Sequence, residues 1–177
     1  MWAATLAASY GIYGPAYELG ENVPMAHGKE EYLNSEKYEI KQWDVNRPDS
    51  IKELIASLNR IRRENPALHS NEGLRFHPTS NEMLIAYSKA TEDLGNVILT
   101  IVNLDPNYTQ SGVVELPLEE LALDPHQPYQ VHDLLTGGRF IWSGRHNYVE
   151  LNPHALPAHI FSLRYRMRTE QDFDYYT

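Results

Sequence analysis

The sequence predicts a mainly β protein, an antiparallel β-sandwich preceded by one helix and a barrel-like remnant. Three observations carry that expectation. From about Asn71 the chain breaks into short segments of period-two hydrophobicity separated by turn residues. Before them lies one amphipathic helical stretch, Ser50 to Asn65, and before that an opening, Trp2 to Ala8, that is apolar on every side.

Taken in order, Trp2 to Ala8 reads as a helix buried on all faces, as though the chain begins inside a larger domain. It is not a signal peptide, because it lacks a basic leader and Ser9 and Tyr10 break the apolar run. Tyr10 to Tyr13 reads as a short buried strand ended by Gly14 and Pro15, and a polar loop then runs to about Asp49. A loop of that length inside a compact domain points to function.

Ser50 and Glu53 have capping-box spacing at the start of the helix. Ile51, Leu54, Ile55, Leu58 and Ile61 form its apolar stripe, Arg60, Arg62 and Arg63 fall in its last turns, and Asn65 and Pro66 stop it. Seven strands are expected after it: Met83 to Lys89, Asn96 to Leu104, Gly112 to Leu116, Tyr129 to Leu135, Arg139 to Trp142, Tyr148 to Leu151 and His159 to Arg166. Gly137 and Gly138 suit a tight hairpin connection. The division expected is a barrel-side part over residues 1–70, the sandwich over 71–168 and a loose tail over 169–177.

Composition narrows the function. The 177 residues carry a formal net charge of -9, which disfavours a nucleic-acid groove or an anionic membrane surface, since both attract positive fields. No run approaches the roughly 20 apolar residues of a membrane span. The absence of cysteine removes disulfides and thiolate metal sites, and fits the cytoplasm. A neutral polar ligand remains open.

The segment EEYLNSEKYEIKQWD, Glu30 to Asp44, draws attention for that reason. Tyr32, Tyr38 and Trp43 each offer a flat apolar face with a polar edge, among carboxylates and lysines. That combination suits a sugar ring. His126, His132, His146, His154 and His159 have irregular spacing, so no metal site is expected. Asn103, Asp105 and Asp133, near strand ends, read as turn-forming residues and not as a calcium loop.

YGIYGPAYELGENVP, EEYLNSEKYEIKQWD, the LNRIRRENPAL helix and the segments VNLDPNYTQSG and VHDLLTGGRFIWSGRHNYVELNP together resemble the C-terminal part of the bacterial alpha-1,4-glucan:maltose-1-phosphate maltosyltransferases, of the alpha-amylase clan of glycoside hydrolases. The resemblance runs from Thr5 to about Leu163, and the YGIYGP and SEKYEI pair points to this subfamily. It implies a retaining transferase that moves maltosyl units from maltose 1-phosphate to the non-reducing end of alpha-1,4-glucans, with no cofactor, and a homodimer is the partner expected of it. The implied fold is a (β/α)8 barrel followed by a β-sandwich called domain C. This chain would supply the last barrel strand and helix and all of domain C, which sets the 18–44 loop over the substrate.

The resemblance also implies that the family's reacting carboxylates lie on earlier barrel strands, so that no residue of this chain is catalytic and the chain alone is inactive. Glu18, Glu30, Glu31, Glu36 and Asp44 match no catalytic motif and read as partners of loop amides or cations. Lys37 and Tyr38 match the family's donor-site pair, which hydrogen-bonds the maltosyl unit. By residue chemistry alone two readings stand level: a sugar-orienting pair, or a lysine paired with Glu36 or Glu39 beside a half-buried tyrosine. Tyr13 and Tyr17 either stack on substrate or pack at the barrel mouth, and Trp43 anchors the loop. The competing functions are a free-standing β-sandwich that binds glucan or another subunit, and a fragment of another amylase-clan enzyme.

Overall fold

The strand VILTIVN, Val97–Asn103, organises the fold because all seven of its residues are buried. In a strand, neighbouring side chains point to opposite faces, so a strand buried throughout must be covered on both sides. The computed structural model, which describes residues 2–164, shows what covers it. Among the described residues eight strands are present: β1 (Arg75–His77), β2 (Leu84–Ala90), β3 (Val97–Asn103), β4 (Gln110–Glu115), β5 (Tyr129–Asp133), β6 (Arg139–Trp142), β7 (His146–Leu151) and β8 (Ala158–Arg164). Six of them form one antiparallel sheet in the order β1-β2-β3-β8-β5-β6, and β4 pairs with β7 in a second.

On one face Leu99 and Ile101 of β3 meet Val114 and Leu151 of the two-stranded sheet, forming the sandwich core with Leu116, Leu118 and Val131. On the other face Ile98 of β3 and Ile160 of β8 pack against Ala4, Leu58, Ile61, Ala67 and Leu68. The six-stranded sheet is therefore a middle layer. One side of it belongs to the sandwich, and the other carries the helices α1 (Trp2–Leu6) and α3 (Lys52–Glu64). A further short helix, α2 (Gly14–Glu18), opens the long loop.

The mainly β sandwich is as expected, with corrections in detail. β1 is an additional edge strand. Residues 10–13, expected as a strand, form no strand among the described residues, where no neighbouring strand takes up their backbone hydrogen bonds. α1 is not buried all round: Ala4 and Thr5 are buried while Trp2 is 45% exposed.

The capping box does not form. The helix instead starts one residue later, with Ile51 at its cap: the Ser50 hydroxyl donates to Glu18 Oε1 at 3.0 Å and accepts the Lys52 amide at 3.3 Å, and the Ser50 amide that Glu53 would accept donates to the Arg47 carbonyl at 3.1 Å. The helix stripe is buried only at Leu58 and Ile61, while Ile51 and Leu54 remain exposed along a small apolar groove of about 150 Å³ shared with Ala3, Tyr10 and Tyr17.

The β5–β6 connection is a longer turn than expected, because Leu134 and Leu135 leave the strand. Buried Asp133 organises it, accepting from the Leu135 amide and the Thr136 hydroxyl, with Gly137 at φ 78° completing the turn. Asn103 and Asp105 likewise accept amides two residues on, the turn role expected of them. The tail over 169–177 and residues 165–166 of the last expected strand lie outside the described residues.

Candidate functional site

The long loop is a closed excursion whose two ends meet at Glu18. Its carbonyl accepts the Ile51 amide at 3.1 Å while its carboxylate accepts the Ser50 hydroxyl. Bringing distant ends together has an entropic cost that grows only slowly with length, so a few such bonds can hold a large loop closed. Arg47 adds to the closure through ion pairs with Asp49 and, at 3.5 Å, with Glu21.

Inside the loop a second set of bonds shapes the expected sugar-binding pair. The Met25 amide donates to the Glu31 carbonyl at 2.8 Å and the Leu33 amide to the Val23 carbonyl at 2.7 Å, pinning a narrow ladder around the Pro24–Tyr32 bridge. Buried Ser35 then turns the chain, accepting the Tyr38 amide at its carbonyl and donating its hydroxyl to Glu31 Oε1 at 3.1 Å. This turn delivers Lys37 and Tyr38 side by side.

The Lys37 ammonium lies 5.0 Å from the centre of the Tyr38 ring and 3.7 Å from Glu31. Hydrogen bonding to Tyr38, and then attraction to Glu31, raise its pKa above the usual lysine value, so it is a fixed cation at neutral pH. Its carboxylate partner is Glu31, not Glu36 or Glu39. Tyr38 is 61% exposed and so is not the half-buried packing residue of the alternative reading.

The remaining loop residues sort by partner. Asp44 accepts the Asn46 amide, and the Lys41 ammonium sits over the half-buried Trp43 ring at 5.5 Å. Tyr13, 67% exposed, meets the Tyr32 ring edge-on at 6.4 Å. The Tyr32 hydroxyl is buried and has no hydrogen-bond partner among the described residues, and an orphan of that kind is costly unless something completes it. The sequence read Glu31 only as a partner of loop amides or cations; the Ser35 turn makes Lys37 that cation.

Among the described residues no group of three or more histidine, aspartate or glutamate side chains gathers as a metal site, and no helix is long and apolar enough to cross a membrane. The histidines take separate partners: His159 meets Asp133 at 2.9 Å and His154 the Asn107 carbonyl at 3.1 Å.

Residues 76–163 match the family model described as GLGE, C-terminal. They form a GLGE C-terminal domain. The alpha-1,4-glucan:maltose-1-phosphate maltosyltransferase of Chlorobaculum tepidum is 51% identical to this GLGE-type chain over 165 residues, covering 90% of the chain and 24% of that protein. The enzyme of the same name from Methylacidiphilum infernorum is 49% identical over 161 residues, with 91% and 24% covered. The chain thus spans 24% of the length of these curated relatives, and its likeness to them extends beyond the GLGE C-terminal domain into the helix and loop before it.

In fold, the GLGE-type chain is similar to AmyP in complex with maltotriose, with a TM-score of 0.61 at 18% identity over 90% of this chain and 33% of that one. It is equally similar to an alpha-amylase from Geobacillus thermoleovorans, with a TM-score of 0.61 at 15% identity over 94% and 32%. The sandwich is an amylase-type domain C.

Proposed function

We propose that this chain serves as the C-terminal portion of a retaining maltosyltransferase, which moves maltosyl units from maltose 1-phosphate to the non-reducing end of alpha-1,4-glucans. Residues 1–70 are then the barrel side with its substrate loop, and 71–168 are domain C. The observation that carries this reading is the 51% identity to a named maltosyltransferase over 90% of the chain, which includes the loop that presents Lys37 and Tyr38.

In this reading Lys37 and Tyr38 orient the donor. An ammonium donates to sugar hydroxyl oxygens, and a phenol can both donate and accept, so the pair can fix two neighbouring hydroxyls at once. Fixing the sugar places its anomeric carbon for attack, the positioning contribution to catalysis. Glu31 holds the ammonium in place. The nucleophile and the acid/base of a retaining transfer stand about 5 Å apart. Here they belong to the part of the enzyme outside this span. The apolar groove with Ile51, Leu54 and Tyr17 is where that part packs. A cytoplasmic location, supported by the lack of cysteine, and a homodimer complete the reading.

A chimera tests it. This chain replaces the matching span of the Chlorobaculum tepidum enzyme, and phosphate release from maltose 1-phosphate with a short maltooligosaccharide is measured. Release at a rate close to the parent's is expected. A folded chimera that releases no phosphate would sink the reading.

A further inference from the structure

A cleft of about 520 Å³ opens where the one-turn helix Pro66–His69, the loop after it and the β2–β3 turn come together. Ala67, Ala90, Leu94 and Leu121 give it apolar walls, and Glu72, Glu92 and Glu120 line it against a single cation, Arg75. Arg75 is already ion-paired with Glu120. Glu72 and Glu92 take part in no ion pair among the described residues, so the cleft keeps two carboxylates without a counter-charge. Such a lining repels anions and favours a segment that brings two positive charges together with an apolar side chain.

The Glu72 side of the cleft is held in place by its neighbour. Gly73 has φ +71°, and a Cβ there would stand 2.6 Å from the Ala90 carbonyl oxygen, so only glycine lets the loop lie this close to β2.

The chain itself brings such a segment to this place. Ala90, Val97 and Leu163 stand in one row across β2, β3 and β8, so Arg164, the next residue of β8, reaches the same edge of the sheet as the β2–β3 turn. β8 and β2 are two strand spacings apart, roughly 10 Å, and three residues of extended chain span about that distance. The residues that follow β8 in the sequence are Tyr165, Arg166, Met167 and Arg168. Two arginines thus flank a methionine, and beyond them Glu170, Asp172 and Asp174 turn the charge acidic. That change of sign confines the match with the cleft to the residues before Thr169.

We infer that the segment 165–168 of this chain docks in the cleft, with Met167 covering Ala67, Ala90 and Leu94 while Arg166 meets Glu92 and Arg168 meets Glu72. In an extended segment alternate side chains face opposite ways, so both arginines turn to the acidic rim when the methionine turns to the apolar floor. Glu92 sits on the β2–β3 turn and is met first; Glu72 lies beyond it on the loop before β1. Exposed ion pairs are weak one by one, but the short tether to β8 makes the docking intramolecular and gives these contacts a high effective concentration. The docked segment straps β8 to the connection between α3 and β1, where the helical side joins the sandwich. None of this depends on the transfer reading above.

Crosslinking within the 177-residue chain tests it, since the sequence has no cysteine and an introduced pair reports one contact alone. Thr169→Cys is combined either with Ser70→Cys in the cleft or with Gln130→Cys on β5, which pairs with Arg164 and is the nearer target for a segment that does not dock. Each rate with a short bismaleimide is divided by that position's own rate with N-ethylmaleimide. A rate about tenfold or more higher for Ser70→Cys is expected, as docking raises the effective concentration there. Glu72→Lys with Glu92→Lys should remove this preference in a variant that melts as the wild type does, both side chains being exposed. Adding Arg166→Glu and Arg168→Glu to that variant should restore it. Equal rates at the two positions, or a preference that survives the charge reversal, overturns the proposal. A crosslinked dimer as the main product at micromolar protein overturns it as well, because the cleft then takes the segment of a second copy.

Discussion

The Lys89 ammonium donates to the Leu6 carbonyl at 3.1 Å, across 83 positions of the chain. Lys89 is fully buried on β2, and burial, followed by the Arg62 charge, lowers its pKa. Arg62 itself donates to the carbonyls of Ala4, Ala7 and Ala8. Two cations, one from the sandwich and one from α3, thus take up the orphan carbonyls at the end of α1. Together with the Thr5–Tyr87 hydroxyl contact at 2.7 Å, they clamp the first residues onto the six-stranded sheet.

Arg62→Ala should therefore loosen residues 2–8 selectively. Charge-assisted hydrogen bonds contribute about 1.5–3 kcal/mol each, and a stability loss on the order of 2 kcal/mol is expected. Hydrogen exchange should quicken first at residues 2–8 while β3 stays protected. Uniform quickening across the chain would contradict the clamp.

His77 makes stability depend on acid. Burial, and then the nearby Arg75 charge, push its imidazole from 6.5 down to about 4, and its Nε2 lies 2.8 Å from the Ser88 hydroxyl. The folded chain holds His77 neutral at pH values where the unfolded chain binds a proton. Stability is thus lost as pH falls from about 6.5 towards 4, by up to about 3 kcal/mol. Urea midpoints at about pH 7 and about pH 4.5 should fall further for the wild type than for His77→Gln. Equal falls would show that His77 is not the group responsible.

Asp133 is the most exacting residue of the sandwich turns. Burial acts to raise its pKa, but His159, Thr136 and the Leu135 amide outweigh it and hold the carboxyl below its usual value. Asp133→Ala leaves those donors unmatched in a buried place, and a loss of about 3 kcal/mol is expected in thermal or urea unfolding. A change below about 1 kcal/mol would mean that water replaces the carboxylate readily.

Gly73→Ala should destabilise by more than about 1 kcal/mol, since it adds a left-handed backbone penalty to an overlap with Ala90. An unchanged melting temperature would mean that the loop moves away from β2 without cost.

Legibility in the sequence followed locality. β3 could be read at once, because six consecutive aliphatic or β-branched residues, Val97 to Val102, allow little else. The turns at Asn103, Asp105 and Asp133 were legible too, since each side chain bonds its own neighbourhood. β1 was missed because three residues ended by Pro78 carry no period, and its strand identity comes wholly from pairing with β2. The capping box at Ser50 failed because the turn before it ties the Ser50 amide to the Arg47 carbonyl, which no spacing rule for the helix itself reveals. In the candidate site the Lys37–Tyr38 pair was visible through its family resemblance. Its partner Glu31, six positions earlier in an irregular loop, follows no spacing rule and emerges only from the Ser35 turn.

The most direct measurement compares phosphate release from maltose 1-phosphate by the chimera carrying this chain with release by the same chimera bearing Lys37→Ala. In the proposed role the Lys37 ammonium hydrogen-bonds the donor sugar, so its loss should lower kcat/KM for maltose 1-phosphate by about 10- to 100-fold, with the melting temperature unchanged because Lys37 is exposed. An active chimera whose kcat/KM is untouched by Lys37→Ala, and equally by Tyr38→Phe, would remove the pair from the donor site and contradict the proposed role of the loop.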